Sequence, residues 1–184
     1  MYFKKYYLTM TKRQEFKVVR SYSNFEIREY QPCVIAEVKV SAQYSTAASD
    51  AFGHLFKYIS KGNKASQKIA MTAPVIAAQR TDQSDSDDWY VSFVMPSGST
   101  FGHLPHPDDP RVKLRELDAE TCVALSFRGR ATEAKSEQMA HQLRAAAKRE
   151  NIALSSETRI CRFDPPFKPG FMQYNEIVIP VYLD

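Results

Sequence analysis

Four histidines and a few carboxylate pairs are the residues whose types and spacing could support metal binding or acid–base catalysis. His103 and His106 stand three apart, a spacing at which two imidazoles can share a transition metal, but a site normally needs three or four ligands on a rigid frame. Their neighbours Asp108 and Asp109 read more simply as turn residues. His54, between Gly53 and Leu55, is the weak candidate for a metal ligand, and His141 beside Ala140 reads as structural or exposed. Carboxylates pair at Glu26 with Glu29 and at Glu116 with Asp118, and strand spacing sets the second pair on one outward, solvated face. No G-x-S-x-G elbow, H-E-x-x-H helix or phosphate-cradling glycine loop can be written from the six glycines. Catalysis is unsupported by these patterns.

Two segments have a different texture. Lys61 to Val75, KGNKASQKIAMTAPV, places lysines before a run that mixes Ile69, Met71 and Val75 with small residues and Pro74. Asp164 to Asn175, DPPFKPGFMQYN, sets Phe167, Phe171, Met172 and Tyr174 among prolines that keep the backbone out of regular structure. Apolar side chains flanked by cations suit a flat, hydrophobic ligand that bears carboxylates. The plainer alternative is that both segments close the ends of a barrel.

The elements that must position these segments follow from length and pattern. The chain has 184 residues, 43% hydrophobic and 25% charged, with ten prolines, which excludes a collagen, a mucin-like stalk and a mostly disordered tail. One domain is expected over 1–184, with 1–14 as an N-terminal extension. The net charge of +4 is dispersed, too mild to argue nucleic acid but compatible with a small anionic ligand. Charges interrupt every hydrophobic stretch, so no membrane insertion is expected. The start, MYFKKYYLTMTKR, lacks the apolar stretch of a secretory signal, and a cytoplasmic address follows by default. Cys33, Cys122 and Cys161, odd in number and set in strand-like runs, read as reduced core residues.

An internal echo organises the chain. FEIREY at 25–30 is matched by VKLREL at 112–117, and each is followed by a strand-like run, VIAEVKV at 34–40 and VALSFRG at 123–129. A helix is predicted over Thr46–Ser60, with Ala48, Phe52, Leu55, Phe56 and Ile59 as its apolar stripe, Ser45 or Thr46 as its cap and Gly62 as its stop. A second runs from about Glu133 to Glu150, capped by Thr132. Further strands are predicted at Ile69–Ala78, Trp89–Met95, Thr158–Phe163 and Glu176–Leu183, with polar loops at Gln79–Asp88 and Ser97–Pro110. The plan is ββαββ twice, as pseudo-repeats over about 16–96 and 111–183. It predicts an α+β fold, a distorted antiparallel β-barrel of about eight strands with two outer helices.

FEIREY at 25–30, LFKYISKGN at 55–63, IAMTAPV at 69–75, FVMP at 93–96 and YNEI at 174–177 together resemble the SOUL haem-binding protein family. The resemblance spans about Phe16 to Val181. It implies a distorted barrel with two helices, similar to the effector-binding domains of multidrug-responsive regulators, and binding of haem or a related porphyrin. It implies an apolar surface near the end of the first helix, with basic residues beside the propionates, which in this chain points to Lys64, Lys68, Ile69 and Met71. Phe171, Met172 and Tyr174 of the aromatic loop complete the expected contact set.

The chain departs from the family pattern in two places. Some members have a histidine, proposed as the axial iron ligand, where this chain has Glu29. The family usually shows two arginines where this chain has Gln173 and Tyr174. Candidates for iron ligation are then His54, Met71, Met172 or a tyrosine. The leading expectation is non-catalytic binding of a tetrapyrrole for buffering, transport or sensing. Its rivals are an effector-binding or protein-interaction module, for which a buried, unpaired Glu29 or Glu176 would speak, and an enzyme that removes the metal from a tetrapyrrole.

Overall fold

A computed structural model of the chain describes residues 11–41, 43–79 and 88–182. Most of the polar connection expected at 79–88, and the first ten residues, lie outside the described residues. The described strands are β1 (Phe16–Ser21), β2 (Glu26–Tyr30), β3 (Cys33–Ser41), β4 (Val75–Gln79), β5 (Asp88–Val94), β6 (Lys113–Leu117), β7 (Glu120–Arg128), β8 (Thr158–Arg162) and β9 (Tyr174–Pro180). Helix α1 spans Tyr44–Ser60 and follows β3, and helix α2 spans Glu133–Arg149 and follows β7. All nine strands form one antiparallel sheet in the order β1-β2-β7-β9-β8-β4-β5-β3-β6, curled into a half-barrel. The fold is α+β, as predicted. Setting β1 aside, the order is symmetric about the β8–β4 junction: β2-β7-β9-β8 on one side mirrors β6-β3-β5-β4 on the other.

Strand alternation divides the sheet into two faces. Trp89, Val91 and Phe93 of β5 point with Val34, Ala36 and Val38 of β3 toward the helices, in the main core. Ile35, Ile76, Val94, Cys122, Cys161 and Val178 gather on the opposite face. Leu55 is fully buried and Tyr58 nearly so, and burying a side chain of that size contributes about 2 kcal/mol. The helices pack symmetrically, α1 over β3 and β5 and α2 over β7 and β9.

Four details differ from the sequence expectation. The buried stripe of α1 is Ala47, Ala51, Leu55, Tyr58 and Ile59, one residue round from the predicted one, so Ala48, Phe52 and Phe56 are only half-buried. Small Ala47 and Ala51 let the helix approach the sheet closely, and Tyr58 is fixed by a hydrogen bond from its hydroxyl to Pro105 O at 3.0 Å. The helix begins at Tyr44 with Gln43 as N-cap and no side-chain cap, and the Thr46 hydroxyl donates back to Gln43 O at 3.2 Å. Thr132 does cap α2, accepting from the Lys135 N–H at 3.3 Å. The strand predicted at Ile69–Ala78 starts only at Val75, because the preceding residues turn to other partners: Ile69 N–H donates to Ile59 O, and Ala73 N–H donates to Lys12 O. Strand β1 escaped prediction since all six of its residues are exposed and leave no buried alternation to read.

Helix α1 ends at its C-cap Lys61, where φ is 129°, and Gly62 follows where a side chain does not fit. The Gly62 N–H donates to Lys57 O at 2.8 Å. A Cβ at this position would lie 2.7 Å from the same oxygen, so a side chain cannot be placed without moving the helix end. Asn63 then folds the chain back, its side chain donating to Tyr58 O and Gln67 O and accepting from Gln67 N–H. This turn delivers the 69–75 segment to the edge of α1.

Candidate functional site

Between the two helices, above the centre of the sheet, lies an open cleft of about 740 Å³. One wall is the face of α1 that carries Ala48 and Phe52; Met71 and Val75 form the next, and Pro165 and Pro166 close the far side. Phe52, which lines the opening, packs edge-to-face with Phe93 at 5.3 Å and stacks on Phe56 at 5.7 Å between ring centres.

Tyr44, the first residue of α1, forms the polar floor. Its hydroxyl donates to Ala131 O at 2.7 Å, so the Ser136 hydroxyl at 2.8 Å and Arg162 Nη2 at 3.1 Å must donate to it. One phenol thereby ties α1, the start of α2 and the end of β8 together. A second guanidinium nitrogen of Arg162, Nη1, is shielded from solvent and has no hydrogen-bond partner among the described residues. Arg130, exposed just before α2, is a second cation on the rim. Two carboxylates also line the cleft, Glu133 and Asp164. Burial alone pushes the Asp164 carboxyl up, but bonds from Lys168 and the Tyr174 N–H outweigh it and hold the group below its ordinary value. Asp164 is thus ionised and already neutralised by Lys168.

Of the contact residues expected from sequence, Met71 lines this cleft. Ile69 is buried in the main core beneath the turn. Lys64 is exposed and paired with Asp108 at 3.2 Å, and Lys68 is exposed on the same turn. Phe171 and Met172 sit on a short 3-10 turn, exposed by 79% and 47%. Tyr174 turns to the opposite face, where its hydroxyl donates to Glu176 Oε1 at 2.5 Å. His54 is turned to Asp109, Nδ1 to Oδ2 at 2.8 Å, and the His103 ring bonds Thr100. No group of three or more potential metal ligands occurs among the described residues.

The residues missed from sequence are Ala48, Phe52, Arg130 and Arg162. The 3- and 4-residue spacing places Ala48 and Phe52 in the buried stripe, from which the docked helix rotates them. Arg162 did leave a signal: it shares a strand face with Ile160, and Ile160 points into the main core. An arginine at an inward register is one that needs an acceptor. The departure at Gln173 reads differently in three dimensions too, since Gln173, Arg130 and Arg162 line one cleft.

The opposite face holds a closed ionic cluster. Arg28 donates to both Glu176 oxygens at 2.8 and 3.1 Å, to Glu26 at 2.8 Å and to the Tyr30 hydroxyl at 3.3 Å. The Phe16 ring covers the guanidinium at 4.1 Å. Burial would lower the affinity of Arg28 for its proton, but Glu176 overrides this and raises it. Burial drives the phenols of Tyr30 and Tyr174 upward, so both stay neutral. All three cysteines are free thiols, and burial pushes Cys122 up to about 12.

Comparison with known proteins fits this architecture. Heme-binding protein 1 of Xenopus laevis is 27% identical over 155 residues, covering 83% of this chain and 81% of that protein. The EcmrR C-terminal domain superposes with a TM-score of 0.67 at 11% identity, over 87% of this chain and 98% of that one. A hydrolase encoded by lin2189 from Listeria innocua superposes with a TM-score of 0.57 at 14% identity, over 97% of each chain. At those identities the two structures establish a shared fold and nothing about ligands. The model of the family described as SOUL heme-binding protein matches residues 11–180, nearly the whole described sheet with both helices, and the chain belongs to that family.

Proposed function

We propose that this protein binds haem or a related tetrapyrrole in the cleft between the helices, to buffer, carry or sense it, with no chemistry of its own. The observation that carries the proposal is the cleft itself. Its volume of about 740 Å³ lies within the range of about 300–1,000 Å³ usual for small-molecule sites, and its walls are mainly apolar with a few placed polar groups. A macrocycle offers a large apolar face, so affinity can come from burial without a strong axial bond. Lys64 and Lys68, the family-based candidates for the propionates, sit on the turn after α1 and outside the residues that line the cleft, where the cations are Arg130 and Arg162. Met71 is the sulfur donor that borders the cleft. The three free thiols support the expected cytoplasmic address. The symmetric strand order supports descent of the two halves from one ββαββ unit.

The effector-module alternative asked for a buried carboxylate without a partner. Glu176 is buried, but Arg28 neutralises it, and Glu29 is exposed, so neither speaks for it. Titration of the purified protein with haemin tests the proposal. The Soret band shifts and Trp89 fluorescence is quenched if it holds, since Trp89 packs edge-on against Tyr44 at 5.2 Å. No spectral change and no quenching at micromolar haemin overturn it. Release of free iron during incubation transfers the site to the enzymatic alternative.

A further inference from the structure

The geometry points to Arg162 as the anchor for a ligand carboxylate, which makes the cleft selective for free-acid tetrapyrroles over their esters. This inference rests on the proposed function and deepens it. A guanidinium carries five N–H donors and no acceptor. Around Arg162 the described structure supplies one acceptor, the Tyr44 hydroxyl, and leaves Nη1 shielded from water with none. Buried polar nitrogens are nearly always satisfied; two are not among the described residues, Arg115 Nε and Arg162 Nη1, and of these Arg162 lines the cleft, where a missing partner can be supplied from outside. The partner must be an acceptor. A carboxylate suits best, because a planar fork of N–H groups matches its two oxygens and the charges compensate.

The surroundings narrow the choice. Asp164, the carboxylate that follows Arg162 most closely in the chain, is committed to Lys168 and the Tyr174 N–H. Glu133, at the first position of α2, lies under that helix's own positive end. Neither is bonded to Arg162. The guanidinium is held in place by Tyr44, itself fixed from both helices, so the donor is positioned before any ligand arrives. Arg162 is among the residues that line the cleft, which sets its side chain beside the space a ligand would fill. Arg130, exposed at the rim, provides a second cation for a second carboxylate. A porphyrin diacid laid on the Phe52 and Met71 walls then meets positive charge at its carboxylate edge, whereas an esterified macrocycle offers the same apolar face without the charge.

The test compares protoporphyrin IX with its dimethyl ester by fluorescence titration of the full-length protein. The wild type is expected to prefer the diacid by about tenfold or more, the difference of one charge-assisted hydrogen bond. In Arg162→Gln that ratio falls toward unity, and Arg162→Lys restores part of it. Raising the salt concentration narrows the wild-type ratio by a smaller amount, because a shielded contact is screened less than an exposed one. If the wild type binds neither porphyrin, the tetrapyrrole proposal itself fails. If it binds both equally, or if Arg162→Gln weakens both in the same proportion, the anchor is refuted while that proposal stands. Should Arg162→Gln fail to fold, Arg130→Gln decides: a diacid preference that survives it supports Arg162, and one that is lost with it refutes the anchor.

Discussion

Arg28 on β2 and Arg162 on β8 sit in the same sheet and face opposite sides of it, and their surroundings could hardly differ more. Arg28 has Glu26, Glu176 and Tyr30 as acceptors and an aromatic lid. Arg162 has one phenol and an open cleft. The first is a structural arginine, its charge cancelled within the fold. The second has been placed but not completed. A charge that costs this much to bury is retained where the fold, or something the fold binds, supplies the compensation.

The largest expected effect is on the closed side. Glu176→Ala leaves the buried Arg28 with the half-exposed Glu26 as its remaining carboxylate and lowers stability by about 3 kcal/mol in urea unfolding. The double replacement Arg28→Met with Glu176→Leu recovers most of that loss, since it removes both charges together. A cost below about 1 kcal/mol for Glu176→Ala would erase the contrast between the two arginines.

The next effect belongs to the open side. Met71→Ser raises the haemin dissociation constant about fivefold, equivalent to about 1 kcal/mol of apolar contact. Phe171→Ser, read by the same titration, sharpens the boundary: an equal loss extends the site to the aromatic loop at 164–175.

Arg162→Gln separates the arginines most directly, because it exchanges one weak bond to Tyr44 for the relief of an unsatisfied donor. Its effect on thermal stability without ligand is expected within about 1 kcal/mol. A loss comparable to that of Glu176→Ala would show that Arg162 is structural after all.

A smaller effect concerns pH. Asp109 is held well below its ordinary range, first by the Arg111 side chain, against an opposing desolvation, and then by the Arg111 N–H and His54. A carboxyl depressed in the folded state contributes stability that is present above its unfolded value of about 4 and is lost as pH falls through the folded value. Asp109→Asn therefore flattens the decline in melting temperature below about pH 4 and leaves neutral-pH haemin binding intact. A change in that binding would extend the functional surface from the cleft to the loop over His54.

Much of the architecture was legible because strand and helix periods are local. The alternation in VIAEVKV, the presence of a helix over 46–60 and the Thr132 cap each depend on neighbours a few residues away. Where a pattern was nearly degenerate, reading failed. Ala47 and Ala48 are equally good stripe residues, and only the fit against β3 and β5 selects the first for burial and turns Ala48, with Phe52, to the cleft. Strand β1 has no buried side chain and so no pattern to find.

The sequence alone determined the family and the alternation of strands and helices, through motifs that are contiguous in the chain. It also determined that Met71 belongs to an apolar run beside a helix end. Only the tertiary structure decided which charges face one another. Arg28 meets Glu176 across 148 positions of sequence, and Arg162 meets Tyr44 across 118. Pairings of that range arise from sheet order and helix docking, so whether an arginine is satisfied or left waiting is settled by packing and not by its neighbours in the chain.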